Sequence, residues 1–90
     1  MKITWDPAKA ESNFRKHKIR FSDAEAVLFD PMALTIEDKT AQSEERFVSV
    51  GADALNRVVV VVYTYRGDDI RLISARRATR RERTAYEEGI

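Results

Sequence analysis

Two periods of hydrophobic alternation run along this 90-residue chain, and the points where one gives way to the other mark its elements. Residues 2–5 read as a short opening strand. Asp6 and Pro7 then read as a helix N-cap and a first helical residue. An aspartate there accepts from the first unpaired N–H groups, and proline has no N–H to leave unpaired. The helix runs to about His17, with Ala10 and Phe14 on one stripe and Lys9, Asn13 and Lys16 on the next. Ser22-Asp23-Ala24-Glu25 has the form of a capping box. It predicts a second, short helix carrying Ala26, Val27 and Phe29, which Pro31 ends.

From there the period falls to two. Residues 33–37 alternate weakly and predict an edge strand, and 38–44 a polar loop. Residues 46–51 predict the next strand and 52–56 a turn. Residues 58–65, five valines followed by Tyr-Thr-Tyr, are apolar on both faces and predict a central strand. Arg66-Gly67-Asp68-Asp69 is a hairpin turn, and 70–77 return as the last strand. Thr79-Arg80-Arg81-Glu82 is another capping box, so a final helix spans 80–88, with Gly89 as its stop. The expectation is one α+β domain over residues 1–90, in the order β-α-α-β-β-β-β-α. Its centre would be a four-stranded antiparallel meander, with helices on one face and the other face free.

Composition narrows the chemistry. With 43% hydrophobic residues the chain can build a core, and with no cysteine it can build neither a disulfide nor a thiolate metal site. One histidine makes a metal site unexpected, and no cofactor is expected. The longest apolar run, 58–63, is too short to cross a bilayer, and the N-terminus lacks the apolar stretch of a signal peptide. A cytoplasmic location without membrane contact is expected.

The net charge of +1 hides a strong asymmetry. Residues 1–20 carry Lys2, Lys9, Arg15, Lys16, Lys18 and Arg20 against Asp6 and Glu11. Residues 21–46 are acidic, and 57–83 hold eight arginines and no lysine. A guanidinium presents a planar fork that matches phosphate, where lysine is a point charge. Arg80, Arg81 and Arg83 lie on the first turn of the last helix, where positive charge opposes the macrodipole. A bound anion would resolve that conflict. A solvated basic helix, pairing with Glu82, Glu87 and Asp69, explains the run equally well.

His17, at the end of the first helix, could move a proton, hold a phosphate or simply cap the helix. Lys9, Asn13 and Lys16 could reach a ligand or form a wet face. Tyr63, Tyr65 and Tyr86 could stack a base or shuttle a proton, and Trp5 reads as a core anchor. No Ser/His/Asp set, phosphate loop or dinucleotide loop is present. The chemistry these groups fit is RNA phosphodiester cleavage without metal, in which RNA supplies its own 2′-hydroxyl nucleophile. Strict alternation puts Arg71 and Arg76 on opposite strand faces. They can serve one site only if a bulge or the strand end re-aims one of them.

Several fragments together resemble the BrnT family of type II toxins. They are Trp5-Asp6-Pro7-Ala8-Lys9, Asn13, Lys16-His17, Phe21, Ala24 to Phe29-Asp30-Pro31, and Glu45-Arg46-Phe47 with Gly51. The most specific is Arg71-Leu72-Ile73-Ser74-Ala75-Arg76-Arg77-Ala78-Thr79 with Glu82 and Tyr86. The resemblance implies a RelE-like fold and a metal-independent ribonuclease that arrests growth. It also implies a cognate BrnA-type antitoxin, with a DNA-binding ribbon-helix-helix part, that holds the toxin in a hetero-oligomer. By matching position it implies His17, Arg46, Arg71, Arg76, Glu82 and Tyr86 as catalytic candidates. Arg71 and Arg76 would grip the phosphate, and His17 or Glu82 would move protons. Lys9, Lys16, Arg77, Arg80 and Arg81 are the candidates for RNA binding. The competing readings are a non-catalytic arginine-rich nucleic-acid module and a surface that docks an acidic protein.

Overall fold

A computed structural model describes residues 1–39 and 45–89, which leaves most of the expected loop at 38–44 outside the described residues. The elements are β1 (Ile3–Thr4), α1 (Pro7–His17), α2 (Phe21–Ala24) with a 3₁₀ turn (Glu25–Phe29), β2 (Leu34–Asp38), β3 (Arg46–Ala52), β4 (Val58–Arg66), β5 (Asp69–Arg77) and α3 (Arg80–Glu88). Among the described residues the strands form one mixed sheet in the order β1-β5-β4-β3-β2. Strands β2 to β5 are the expected antiparallel meander. The sheet nevertheless has a fifth member, because β1 pairs parallel to β5 through Ile3–Ile70 and Thr4–Arg71. Two residues suffice for this, since the Ile70 N–H donates to the Lys2 carbonyl at 2.8 Å.

The helix signals read from the sequence hold at both ends of the chain. The Asp6 carboxylate accepts from the Ala8 N–H at 2.8 Å, and Lys18 closes α1 in the left-handed conformation at φ 61°. Arg15, Lys16 and His17 occupy the last turn, where the macrodipole favours positive charge. Thr79 and Glu82 form both arms of the capping box that opens α3, and Gly89 ends it at φ 71°. The second helix differs from expectation. It starts at Phe21 after an uncapped Arg20, so Ser22 lies inside it, and from Glu25 it tightens into 3₁₀. Burial sets this start, because Ile19 and Phe21 are both sealed in the core and fix the chain between them.

The core lies between one face of the sheet and the helices that precede it. Val59, Val61, Tyr63, Leu72 and Ala75 meet Ile19, Phe21, Ala24 and Val27 there. Trp5 packs at its edge against Phe21, ring to ring at 5.9 Å, as an anchor rather than a free platform. The second face is only partly open, unlike the free face expected. Val60 and Thr64 are buried on it, while Ile36 on the edge strand β2 is 68% exposed. Between β4 and β5, Gly67 takes φ 62° at the first of two loop residues, as a type II′ hairpin turn requires.

Candidate functional site

The register of β5 on β4 is regular from Arg77 to Ser74 and again from Leu72 to Asp69, but it shifts between Val62 and Tyr63. Ser74 pairs with Val62 and Leu72 with Tyr63, so Ile73 has no partner and forms a bulge. The bulge changes which side chains share a face. Arg76 pairs with Val60, Ser74 with Val62 and Arg71 with Thr64. Those three β4 residues alternate along one face, so Arg71, Ser74 and Arg76 all project from the second face of the sheet. The Cα positions of Arg71 and Arg76 are then separated by about 13 Å of strand, a gap two long guanidinium side chains can share. The bulge also returns Leu72 and Ile70 to the core, where both are buried.

Arg76 does not stand free. Its Nη1 and Nη2 donate to the Glu82 carboxylate at 2.9 Å each, a bidentate pair. Glu82 also accepts from the Thr79 N–H at 2.8 Å. These bonds, Arg76 foremost, overcome the opposing effect of burial and hold the Glu82 carboxyl at about 2. The same carboxylate raises the Arg76 guanidinium above its ordinary value.

A groove of about 210 Å³ runs between α1 and β5, lined by Lys9, Ser12, Asn13, Lys16, His17, Ile73 and Ser74. It joins two surfaces. Lys9, Lys16 and His17 come from one stripe of α1, and Ser74 belongs to the face that bears Arg71 and Arg76. Asn13 fixes the two walls to each other. Its side-chain amide donates to the Ala75 carbonyl at 2.8 Å and to the Ile19 carbonyl at 3.1 Å, and accepts from the Ala75 N–H at 3.0 Å. That amide does for β5 what a further strand would do, beyond the point where β1 ends.

Other sequence candidates fall elsewhere. Tyr86 donates its hydroxyl to Asp30 at 2.5 Å, which raises its pKa and ties α3 to the turn after the 3₁₀ segment. Asp30 also accepts from the Ala52 and Met32 N–H groups. Burial alone would raise its pKa, but these bonds and that from Tyr86 hold it below the ordinary value. Arg46 is half-buried at the start of β3, paired in register with Asp38. By alternation with Val48 and Val50 it also faces the second side of the sheet. Arg80 and Arg81 line an open surface of α3 with Thr84, Ala85 and Glu88, apart from the groove. Arg77 lies in a different pocket, at the end of β5.

Sequence reasoning missed the clamp at Asn13, the placement of Ser74 and the position of the bulge. A polar residue one helical turn from Lys9 and Lys16 carried no sign that it would be buried, and nothing local marks Ile73. Among the described residues no group of His, Cys, Asp and Glu side chains is placed to hold a metal ion. No described helix is long and apolar enough to cross a membrane.

Comparison with known proteins bears on this geometry. A family model described as "Ribonuclease toxin, BrnT, of type II toxin-antitoxin system" matches residues 5–82. In three dimensions the chain is similar to the crystal structure of the Brucella abortus ribonuclease toxin, BrnT. The TM-score is 0.70 at 26% identity, over 89% of this chain and 99% of that one. None of the curated proteins compared matches the chain.

Proposed function

The chain belongs to the BrnT family of ribonuclease toxins of type II toxin-antitoxin systems, and from that premise we propose that it is a metal-independent endoribonuclease that arrests growth by cutting RNA. The observation that carries the reading is the bulge at Ile73. It sets Arg71 and Arg76 on one face, beside the groove that holds Lys9, Lys16 and His17.

In this mechanism Lys9 and Lys16 hold the RNA backbone along α1. Arg71 and Arg76 bind the scissile phosphate and stabilise the charge of the pentavalent transition state. His17 takes the proton of the 2′-hydroxyl as its oxygen attacks phosphorus. The P–O5′ bond breaks, and the imidazolium returns the proton to the departing 5′-oxygen. Glu82 is a weak base with its carboxyl held at about 2, so its part is to aim Arg76 rather than to move protons. Tyr86, whose hydroxyl is engaged by Asp30, supports α3. Arg46 stands two strands from Arg71 on the same face, roughly 10 Å across the sheet, and would contact a neighbouring phosphate. All 90 residues act as one toxin domain in the cytoplasm. A BrnA-type antitoxin, DNA-binding through a ribbon-helix-helix part, neutralises it in a hetero-oligomer.

Purified chain incubated with RNA in excess EDTA is expected to release fragments at the rate seen without chelator. His17→Ala is expected to lower kcat by roughly 10²–10⁴-fold with KM little changed. Abolition of cleavage by EDTA would overturn the metal-free mechanism. RNA binding with no cleavage under any condition would assign the arginines to a non-catalytic module.

A further inference from the structure

A second basic pocket, of about 310 Å³, lies at the far end of β5 and is lined by Asn56, Arg57, Val58, Arg77, Arg83 and Glu87. It brings Arg77 of β5 and Arg83 of α3 beside Arg57 of the β3–β4 turn, whose own charge is balanced by Asp53 and Asp23, with Glu87 as the carboxylate in the lining. Arg57 is its rigid wall. Its Nη2 lies 2.7 Å from Asp53, whose side chain is fully buried, and its Nε donates to the same carboxylate at 2.9 Å. Arg77 and Arg83 are different. Among the described residues neither guanidinium has a hydrogen-bond or ion-pair partner, and both residues are exposed. Glu87, one helical turn beyond Arg83, forms no ion pair with it either, although that spacing allows one. Like charges gathered without partners cost stability, and a sequence tends to keep such a conflict where a ligand resolves it.

We propose that this pocket holds a phosphodiester of the RNA substrate outside the cleavage groove, so that the enzyme grips a stretch of chain and not only the scissile bond. The inference rests on the ribonuclease reading above. Distances agree with it. From Ser74 in the groove to Arg77 is about 10 Å of strand, and Arg77, opposite Val59, leaves the other face at the strand end, so the RNA passes around that end. Stacked nucleotides advance about 3.4 Å each, so roughly three of them span the interval. Planar forks suit the ligand, since a guanidinium can bind two phosphate oxygens at once.

The test is equilibrium binding of a 2′-O-methyl RNA several times longer than a trinucleotide, which lacks the nucleophile and stays intact, measured over a range of salt. Arg83→Gln is expected to weaken binding by roughly 3–10-fold and to reduce the slope of log K against log salt by about 0.7, the release expected for one lost phosphate contact on a single strand. Arg83→Lys should recover the slope. Glu87→Gln, which removes the opposing carboxylate and keeps every guanidinium, should tighten binding by roughly 2–3-fold, a change no loss of folding could produce. Parent and Arg83→Gln proteins with the same slope would overturn the proposal. So would an unchanged slope joined to lost affinity for an acidic peptide, which would give the pocket to a protein partner. Cleavage of unmodified RNA by the parent chain is measured in parallel. If it is absent while RNA still binds, the ribonuclease reading fails and the slope still decides the pocket. If the parent neither cuts nor binds RNA, both are overturned.

Discussion

Glu82 accepts two hydrogen bonds from Arg76 and one from the Thr79 N–H, and its own N–H is capped by the Thr79 hydroxyl. One carboxylate thus starts α3 and aims a proposed phosphate ligand. Its pKa falls from 4.5 to about 2 on folding, chiefly through Arg76. The linkage follows from that sign. A carboxyl depressed in the folded state contributes stability that is complete above the unfolded value and is lost as pH drops through the folded one. Glu82→Gln is therefore expected to be less stable than the parent by about 1 kcal/mol near neutrality, a modest figure because Arg76 is 41% exposed and water screens the pair. The two melting temperatures should converge between about pH 5 and pH 2 in thermal unfolding followed by circular dichroism. A constant difference across that range would place the stabilisation elsewhere. The same variant frees Arg76 to swing, so RNA cleavage should fall even where folding is intact.

At the scale of the element, β5 decides most of the candidate site. Its inner edge pairs with β4 along its length, while its outer edge is covered by β1 only at Ile70 and Arg71. The Asn13 amide satisfies the buried N–H and C=O on the outer edge of Ala75 beyond that point. Asn13→Ala would leave both groups, and the Ile19 carbonyl, buried without partners. The expected loss is about 2–4 kcal/mol in urea unfolding, well beyond the effect of the exposed Lys16→Ala on the same helix. Because Asn13 joins the walls of the groove, cleavage should be impaired under conditions where the variant is still folded. A stability cost under about 1 kcal/mol would mean that water replaces the amide, and the clamp would lose its importance.

Across the whole molecule, Asp30 links segments far apart in the chain. Its carboxylate receives the Ala52 N–H at the end of β3 and the Tyr86 hydroxyl of α3. Gly51 lets that carboxylate approach, since a Cβ there would lie 3.0 Å from an Asp30 oxygen and 3.1 Å from both Ala33 and Val27. Tyr86→Phe is expected to cost about 1–2 kcal/mol, or roughly 4–16 °C in melting temperature for a domain of this size. RNA cleavage should fall far less in this variant than in His17→Ala, because the hydroxyl it removes is already committed to Asp30. A cleavage defect as deep as that of His17→Ala, in protein shown to be folded, would move Tyr86 into the reaction itself. In the proposal above, RNA runs from the groove beside Arg71 and Arg76 around the end of β5 to the pocket at Arg77 and Arg83, since Arg77 pairs with Val59 and leaves the other face of the strand.

Much of this was legible in residue order. Asp6-Pro7, Thr79 with Glu82, Gly67 and Gly89 are local signals, because a cap or a turn is satisfied by atoms a few residues away. They located α1, α3 and the last hairpin to within a residue. The valine run likewise marked β4 as central, since only a strand covered on both faces can afford it. Other features depended on partners far away in sequence. Burial of Ile19 and Phe21 overrode the capping pattern at Ser22, and the opening strand expected at residues 2–5 found its place, parallel to β5 at the sheet edge, only through that distant pairing. Alternation alone sent Arg71 and Arg76 to opposite faces. Whether they share one depended on an extra residue in β5, and the register against β4 determined that it is Ile73, because Leu72 and Ile70 must reach the core. The sequence by itself determined which side chains could grip phosphate and on which elements they stand. Tertiary pairing decided which of them meet, because a face is a property of two strands in register and not of one strand alone.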